Sequence, residues 1–175
     1  MKSNSIRRYA AVLGLVSLAA CSVNLAFDIA KDAEVVSTQG SIATAIPVDL
    51  SNSKEVQEHK GNIEALSLES VDLTVTAVAS DNGATSVTGS LALRAAGALA
   101  DGSQDIVVGA IDALPISVGA HVHIPVNPDL DKFLYDQLQG AGEFSAVVAG
   151  TTQGGPTHAT IHVAMHASLA YGVGL

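Results

Sequence analysis

The sequence predicts a mainly β protein: a two-sheet, β-sandwich-like single domain with two short helices. Three features predict it. Apolar residues alternate with polar or small ones over most of the chain, clusters of Gly, Asn, Asp and Pro separate the alternating stretches, and only two segments have the composition of a helix. Alternation with a period of two places every second side chain on one face of a strand, so two sheets packed face to face would bury these apolar faces.

The alternating stretches give the strands in order. In the first half they are residues 25–29, 33–48, 63–77 and 87–95. In the second half they are residues 106–111, 116–126, 144–148 and 159–169. Ser80-Asp81-Asn82-Gly83 predicts a hairpin turn, because Asn and Gly tolerate positive φ, and Gln153-Gly154-Gly155-Pro156 predicts a second turn.

Two segments predict short helices. Residues 51–60 form a polar one, with Ser51 or Ser53 as its cap and Val56 as its one clear apolar contact. Asn127-Pro128 is expected to open the second helix, with Asn as the cap and Pro at the first position. The apolar residues of this second helix recur at helical spacing: Leu130, Phe133, Leu134 and Leu138.

The order of the elements suggests an internal ββαββ pseudo-repeat. Ile46-Pro47-Val48-Asp49 and Ile124-Pro125-Val126-Asn127 stand at corresponding points, each after two strands and before a helix. The halves would run over about residues 22–97 and 104–175, and the join between them lacks a linker's composition. A chance recurrence of Ile-Pro-Val is the alternative. Either way we predict one domain rather than two.

The first 20 residues have the pattern of a secretory signal peptide. A positively charged start precedes an apolar run that is too short to span a bilayer. The segment that follows, Leu18-Ala19-Ala20-Cys21, resembles the lipobox of bacterial lipoproteins. The resemblance implies cleavage after Ala20, which leaves a mature domain of residues 21–175, and acylation of Cys21 on its sulfur and on the new N-terminus. An ordinary signal peptide with a chance Cys is the alternative.

The residues after Cys21 bear on where such a lipoprotein would go. In that class, an Asp after the Cys favours the inner membrane, so Ser22 implies the outer membrane. Several acyl chains hold a protein firmly to a bilayer. No long Ser- or Gly-rich linker follows Cys21, so we expect the domain to sit close to the membrane surface.

Composition excludes several classes of function. All 17 acidic residues follow Cys21, and only five Lys or Arg residues do, which argues against nucleic-acid binding because phosphates must be neutralised by cations. The scarcity of aromatic residues argues against carbohydrate binding. Cys21 is the only cysteine, so a disulfide is excluded. Motifs of hydrolases, of phosphate-binding loops and of zinc proteases are absent from the sequence, and we expect no enzyme.

Histidine is the one residue type whose pattern could carry chemistry. His121 and His123 lie two apart on a predicted strand, so their imidazoles share a face at a spacing of about 7 Å. With His162 beside them on a neighbouring strand, the three could bind zinc, copper or nickel. His158 and His166 share the parity of His162 and are further candidates. A solvated sheet face that tolerates histidine is the alternative.

These observations favour a lipid-anchored envelope lipoprotein that acts as a non-catalytic structural or partner-binding module. Its expected partners are the membrane, through the anchor, and another envelope protein. No cofactor is expected in that case. The alternatives are a periplasmic metal-binding protein that uses the histidine-bearing sheet face, and a carrier of an apolar ligand held between the two sheets.

Overall fold

The computed structural model of the chain describes residues 22–126 and 129–173. The strands are β1 (Ser22–Ser37), β2 (Ser41–Asp49), β3 (Ile63–Val78), β4 (Ser86–Ala95), β5 (Ile106–Pro115), β6 (His121–Pro125), β7 (Glu143–Gln153) and β8 (Thr157–Gly172). The helices are a short 3₁₀ helix (Leu50–Asn52), α1 (Lys54–His59) and α2 (Leu130–Gln139). The predicted signal peptide and lipobox, including Cys21, fall outside the described residues.

The eight strands form two antiparallel sheets of four, which confirms the prediction of a mainly β, two-sheet fold. Sheet A has the strand order β1-β8-β3-β6, and sheet B has the order β2-β7-β4-β5. Consecutive strands alternate between the sheets, except that β4 and β5 pair with each other as a hairpin. Eight strands wound between two sheets in this way form a jelly roll.

The core lies between the sheets and is aliphatic. Strand β8 shows the pattern most clearly, because its inward side chains are at most 4% exposed: Ala159, Ile161, Val163, Met165, Ala167 and Leu169. The side chains between them face outward and are half-exposed. Full burial of one such aliphatic side chain stabilises the fold by about 1.5–3 kcal/mol, so the period-two alternation of the sequence fixes which face of β8 points inward.

The break predicted at Lys31-Asp32 is wrong. Strand β1 continues through both residues to Ser37 and pairs with β8 over its whole length. Asp32 lies on the outer face opposite His162, where its charge stays in contact with water. The chain turns instead at Gly40, whose φ of 73° lies in the left-handed region that glycine adopts readily.

The hairpin predicted at residues 80–83 is also wrong. The chain does turn there, but β3 belongs to sheet A and β4 to sheet B, so the two strands are not paired. The turn at residues 153–156 likewise leads from sheet B to sheet A. The two turns contact each other, since Gly83 N donates to the carbonyl oxygen of Pro156 at 2.8 Å. Turn chemistry reverses the chain, whereas burial of the next apolar face decides which sheet the chain enters.

Both helices form close to where they were predicted. Helix α1 begins after Ser53, and its Val56 is buried, as expected. Helix α2 begins at Leu130 and is preceded by Asp129, while Asn127 and Pro128 fall outside the described residues. The ring of Phe133 packs edge-on against that of Phe144 on β7, with centroids 6.2 Å apart, while Asp131 and Tyr135 hydrogen-bond to β3, so α2 contacts both sheets.

The sandwich has two distinct ends. The helix end holds both helices, the start of β1 at Ser22, the end of β8, and the β4–β5 loop (residues 96–105). The turn end holds the connections at residues 38–40, 79–85, 116–120 and 154–156. Residue 21 is therefore joined to the chain at the helix end.

The observed order is two strands, a helix and two strands, repeated once. Replacing each strand by the one four places away in the chain, later for β1 and β3 and earlier for β6 and β8, converts the order of sheet A into that of sheet B read in reverse. The two Ile-Pro-Val segments lie at the ends of β2 and β6, which this exchange relates. The ββαββ order read from the sequence thus corresponds to an internal two-fold relation of the topology.

Candidate functional site

The outer face of sheet A carries five histidines and four carboxylates, and we call it the histidine face. Its histidines are His121 and His123 on β6 and His158, His162 and His166 on β8. Its carboxylates are Asp28, Asp32 and Glu34 on β1 and Asp72 on β3. They point outward because the alternate residues of the same strands are apolar and buried in the core.

Strands β1 and β8 form a ladder of acid–histidine pairs. Their register places Asp28 opposite His166 and Asp32 opposite His162. The carboxylates accept hydrogen bonds from the Nδ1 atoms of these histidines, at 2.7 Å for Asp28 and 2.8 Å for Asp32. Both pairs arise because residues four apart on β1 meet residues four apart on an antiparallel neighbour.

Asp72 joins the ladder to the other half of the sheet. One of its oxygens accepts from His166 Nε2 at 2.9 Å, and the other accepts from His123 Nδ1 at 2.8 Å. The result is a continuous chain of hydrogen bonds, Asp28–His166–Asp72–His123, that crosses all four strands of sheet A. Side chains thus connect both edge strands to the centre of the sheet.

A second cluster lies at the turn end. His158 donates from Nε2 to Glu34 and from Nδ1 to Asp81, both at 2.8 Å. The backbone N–H of His158 also donates to the side-chain oxygen of Asn82 at 3.0 Å. Strand β8 is therefore fixed to β1 on one side and to the turn after β3 on the other.

The pKa values follow from these bonds. Hydrogen bonds to Glu34 and then Asp81 raise the pKa of His158, and hydrogen bonds to Asp28 and then Asp72 raise the pKa of His166. Partial burial opposes the effect of the bonds on Asp72, but donation from His123 and His166 lowers its pKa overall. The bonds therefore favour the protonated forms of His158 and His166 and the ionised form of Asp72.

The three histidines expected to form a metal site do not converge. Strand β3 lies between β6 and β8, so Thr74 stands between His121 and His162. Within residues 22–126 and 129–173, no three metal-binding side chains are grouped closely enough to hold an ion. His158 and His166 are further constrained, because both of their ring nitrogens are bonded to carboxylates and leave no lone pair for a metal.

Sequence reasoning missed the acids of this face. Asp28 and Asp32 have the same four-residue spacing as His162 and His166, and that match is the signal that could have paired β1 with β8. His59, at the end of α1, stacks on the ring of Tyr171, with centroids 3.7 Å apart.

The histidine face has no fixed cation among its described residues. Lys31 is the only Lys or Arg in the four strands of sheet A, and it lies in register with Val163, on the side of the strand that faces the core. Asp28, Asp32 and Glu34 keep most of their side-chain surface in water, at 69%, 67% and 66% exposed. Neutralisation of these carboxylates from within the face depends on histidine alone.

One surface cavity of about 490 Å³ lies where β2 and β7 meet at the helix end. Its lining mixes Pro47 and Phe144 with the charged residues Lys31, Asp49 and Glu143. Charged walls suit a polar occupant better than the apolar ligand of the carrier hypothesis. Helices long and apolar enough to cross a bilayer do not occur in the described part of the chain.

No family model and no curated protein matches this chain. Among solved structures, a decameric BFDV capsid protein is similar over 85% of this chain and 99% of its own, with 9% sequence identity and a TM-score of 0.45. Desmodium yellow mottle tymovirus is similar over 99% of this chain and 97% of its own, with 11% identity and a TM-score of 0.32. Neither resemblance says what this chain does.

Proposed function

We propose that this chain is a lipid-anchored lipoprotein of the bacterial outer membrane, a non-catalytic module that binds a basic protein partner through its histidine face. The observation that carries the proposal is the set of exposed carboxylates on that face, whose only cationic partners among the described residues are histidines. Carboxylates on β1 and β3 lie within one surface, and Lys or Arg side chains of a partner could pair with them. Charge complementarity of this kind guides association and selects partners.

The hydrogen bonds of His158 and His166 support a binding role over a catalytic one for these two residues. A general base must present one free ring nitrogen to the group it deprotonates. His158 and His166 present none, because carboxylates occupy both nitrogens of each ring. The bonds instead hold the carboxylates in fixed positions, which lowers the entropy lost when a partner binds.

The anchor supports the location. Leu18-Ala19-Ala20-Cys21 is followed at once by the first residue of β1, so acyl chains on Cys21 would hold the sandwich against the bilayer without a linker. The first test replaces Cys21 in the full-length chain, expressed in a bacterium with two membranes. We expect the unaltered chain to incorporate labelled palmitate and to fractionate with the outer membrane, and Cys21→Ala to do neither. If the unaltered chain and Cys21→Ala both carried no palmitate and both stayed in the soluble fraction, the anchor would be contradicted.

The second test maps the binding surface in cells. A photo-cross-linking residue replaces Thr160, between His158 and His162 on the histidine face, or Ala43, on the outer face of sheet B. We expect a discrete cross-linked product from position 160, and its loss in Asp28→Lys/Asp32→Lys. The matched control Asp112→Lys/Glu143→Lys makes the same change in net charge away from the face and should keep the product. Equal products from both positions, or a product that survives the first charge reversal, would contradict binding through this face.

Metal binding is the second candidate, and one observation favours it. His123 and His162 each bond a carboxylate through Nδ1, which is how metal-ligating histidines are commonly oriented, and their Nε2 atoms point away from these bonds. Calorimetric titration with zinc, copper and nickel, repeated on His121→Ala/His123→Ala, tests it. Stoichiometric binding that the variant loses would support this candidate, and no heat of binding would contradict it.

A further inference from the structure

The large apolar side chains that remain exposed are distributed unevenly between the two ends of the sandwich. Among the described residues, Val23, Leu99, Ile106, Val107 and Val173 lie at the helix end, whereas only Val36 and Val118 lie at the turn end. Exposed apolar residues that gather on one side of a domain mark a surface that contacts something other than water. The helix end is therefore the end that we expect to contact something other than water.

The β4–β5 loop is the most apolar part of this end. Residues 95–100 read Ala-Ala-Gly-Ala-Leu-Ala and carry no charge, and the side chain of Leu99 is 61% exposed. The base of the loop is fixed, because Arg94 donates from Nε and Nη2 to the two oxygens of Asp105, at 2.6 and 2.7 Å. A bidentate, largely buried pair holds the loop in one position, so Leu99 is displayed on a supported element.

The chain outside the described residues joins the sandwich at this same end. Ser22 is opposite Gly172 in the first position of sheet A, and Val23 and Val173 flank that junction. Cys21 is one residue away. An acyl chain on Cys21 would enter the bilayer next to these two valines, which brings the helix end within reach of the lipid headgroups.

We infer that the helix end of the sandwich lies on a lipid surface, with Leu99 and the start of β5 in the headgroup region and the turn end facing away. This inference rests on the proposed lipid anchor. It adds an orientation to it: the protein contacts the membrane with its own side chains and does not hang freely from its acyl chains. The histidine face would then stand roughly upright and stay open to a partner.

Charge selects the kind of lipid. Acidic residues outnumber Lys and Arg at the helix end, and Asp49, Asp101 and Glu143 lie around the β4–β5 loop. Anionic headgroups would be repelled by these carboxylates, whereas zwitterionic headgroups would not. The surface that fits is therefore a neutral, zwitterionic monolayer.

The test uses the full-length, acylated chain bound to vesicles of phosphatidylcholine. Cys21 is the only cysteine and is consumed by acylation, so Leu99→Cys introduces the one free thiol for a polarity-sensitive dye. Val118→Cys is the matched control, because Val118 is 68% exposed in the connection between β5 and β6 at the turn end. Both positions lie in exposed connections, where a labelled cysteine leaves the core unchanged.

We expect the emission of the dye at position 99 to shift to shorter wavelength and to be several-fold brighter on vesicles than in detergent-free buffer. Lipids with a nitroxide headgroup should quench this emission. The dye at position 118 should show none of these changes. Replacing part of the phosphatidylcholine by an anionic lipid should reduce the signal at position 99. An undiminished signal would overturn the choice of a neutral surface.

Two other outcomes separate this inference from the proposed function. Suppose that the acylated chain floats with the vesicles, but the dyes at positions 99 and 118 both report an aqueous environment or are both quenched equally. The anchor then stands, and the orientation is overturned. If the wild-type chain is not acylated and does not float with vesicles, the anchor fails, and the orientation fails with it.

Discussion

The outer faces of sheet A and sheet B can be compared strand by strand, because β8 and β7 occupy the same place in their sheets. The outer face of β8 presents three histidines, each bonded to a carboxylate. At the same level of sheet B, two rows run across the strands with no charged side chain: Ala43, Ala149, Ser90 and Ala110, and Ala45, Val147, Ala92 and Val107.

The two faces are stabilised differently. On the histidine face, charged groups stay half-exposed and are held by directed hydrogen bonds. On the outer face of sheet B, the two central residues Val147 and Ala92 are only 4% and 6% exposed, although they lie outside the core between the sheets. The same pleated backbone thus supports a face with charged groups at its centre and a face whose two central rows carry none.

The largest effect is expected from a new carboxylate placed at equivalent sites on both faces. Val147→Asp buries a charge with no cation opposite it, and we expect it to reduce the free energy of unfolding by about 3 kcal/mol. Ser168→Asp, on the outer face of β8 two residues from His166, should change it by less than about 1 kcal/mol. Urea denaturation of both variants measures the difference.

Similar losses in the two variants would show that the faces do not differ in their tolerance of charge. Val147→Thr serves as a control for the change in shape, because threonine keeps the branched side chain without the ionised group. Most of the stability should return in that variant.

A smaller effect is expected from breaking the hydrogen-bond chain at its centre. Asp72→Asn removes the ionised acceptor shared by His123 and His166, and we expect a loss of about 1 kcal/mol in the free energy of unfolding, since these groups are partly solvated. Asp32→Asn breaks a single pair with His162 and should cost less than about 0.5 kcal/mol. Equal losses would mean that the second hydrogen bond of Asp72 adds no stability and that Asp72 is not a junction.

The smallest effect is a dependence of stability on pH that belongs to the histidine face alone. The folded-state pKa values of His158 and His166 are raised above the ordinary 6.5, so their contribution is complete below that pH and is lost as pH rises through the raised values. The lowered pKa of Asp72 makes its contribution complete above the ordinary 3.8, and that contribution is lost only as pH falls through the lowered value. The contributions of the two histidines and of Asp72 are therefore both present between pH 3.8 and pH 6.5.

Melting temperatures at about pH 5.5 and about pH 8.5 test this sign. The wild-type chain should melt lower at the higher pH, and His158→Gln/His166→Gln, which cannot titrate at these positions, should lose much of that difference. An unchanged difference in the variant would place the responsible groups elsewhere in the chain.

Local periodicity was enough to predict the sandwich, but not its connections. The alternation along β8 fixed the inward face correctly, because burial depends on the strand's own residues. Long-range pairing decides the rest: Ser80-Asp81-Asn82-Gly83 reverses the chain whether β4 joins sheet A or sheet B. For the same reason, the histidines of the histidine face could be predicted and their partners could not. The parity of His162 and His166 follows from β8 alone, whereas their carboxylates come from β1 and β3, which are distant in sequence.

The pairing of β1 with β8 sets the order in which the fold can be completed. All 16 residues of β1 pair with β8, and β1 has no other neighbour in sheet A. Pairing between the two ends of a chain is slow, because a large loop must close before any contact rewards it. During synthesis β1 therefore stays unpaired until β8 has been made. The same holds for most of β3, because β8 is also its main partner. A chain that must be threaded through a membrane in extended form would be kept competent for passage by that delay, and sheet A would close only after the last strand had emerged.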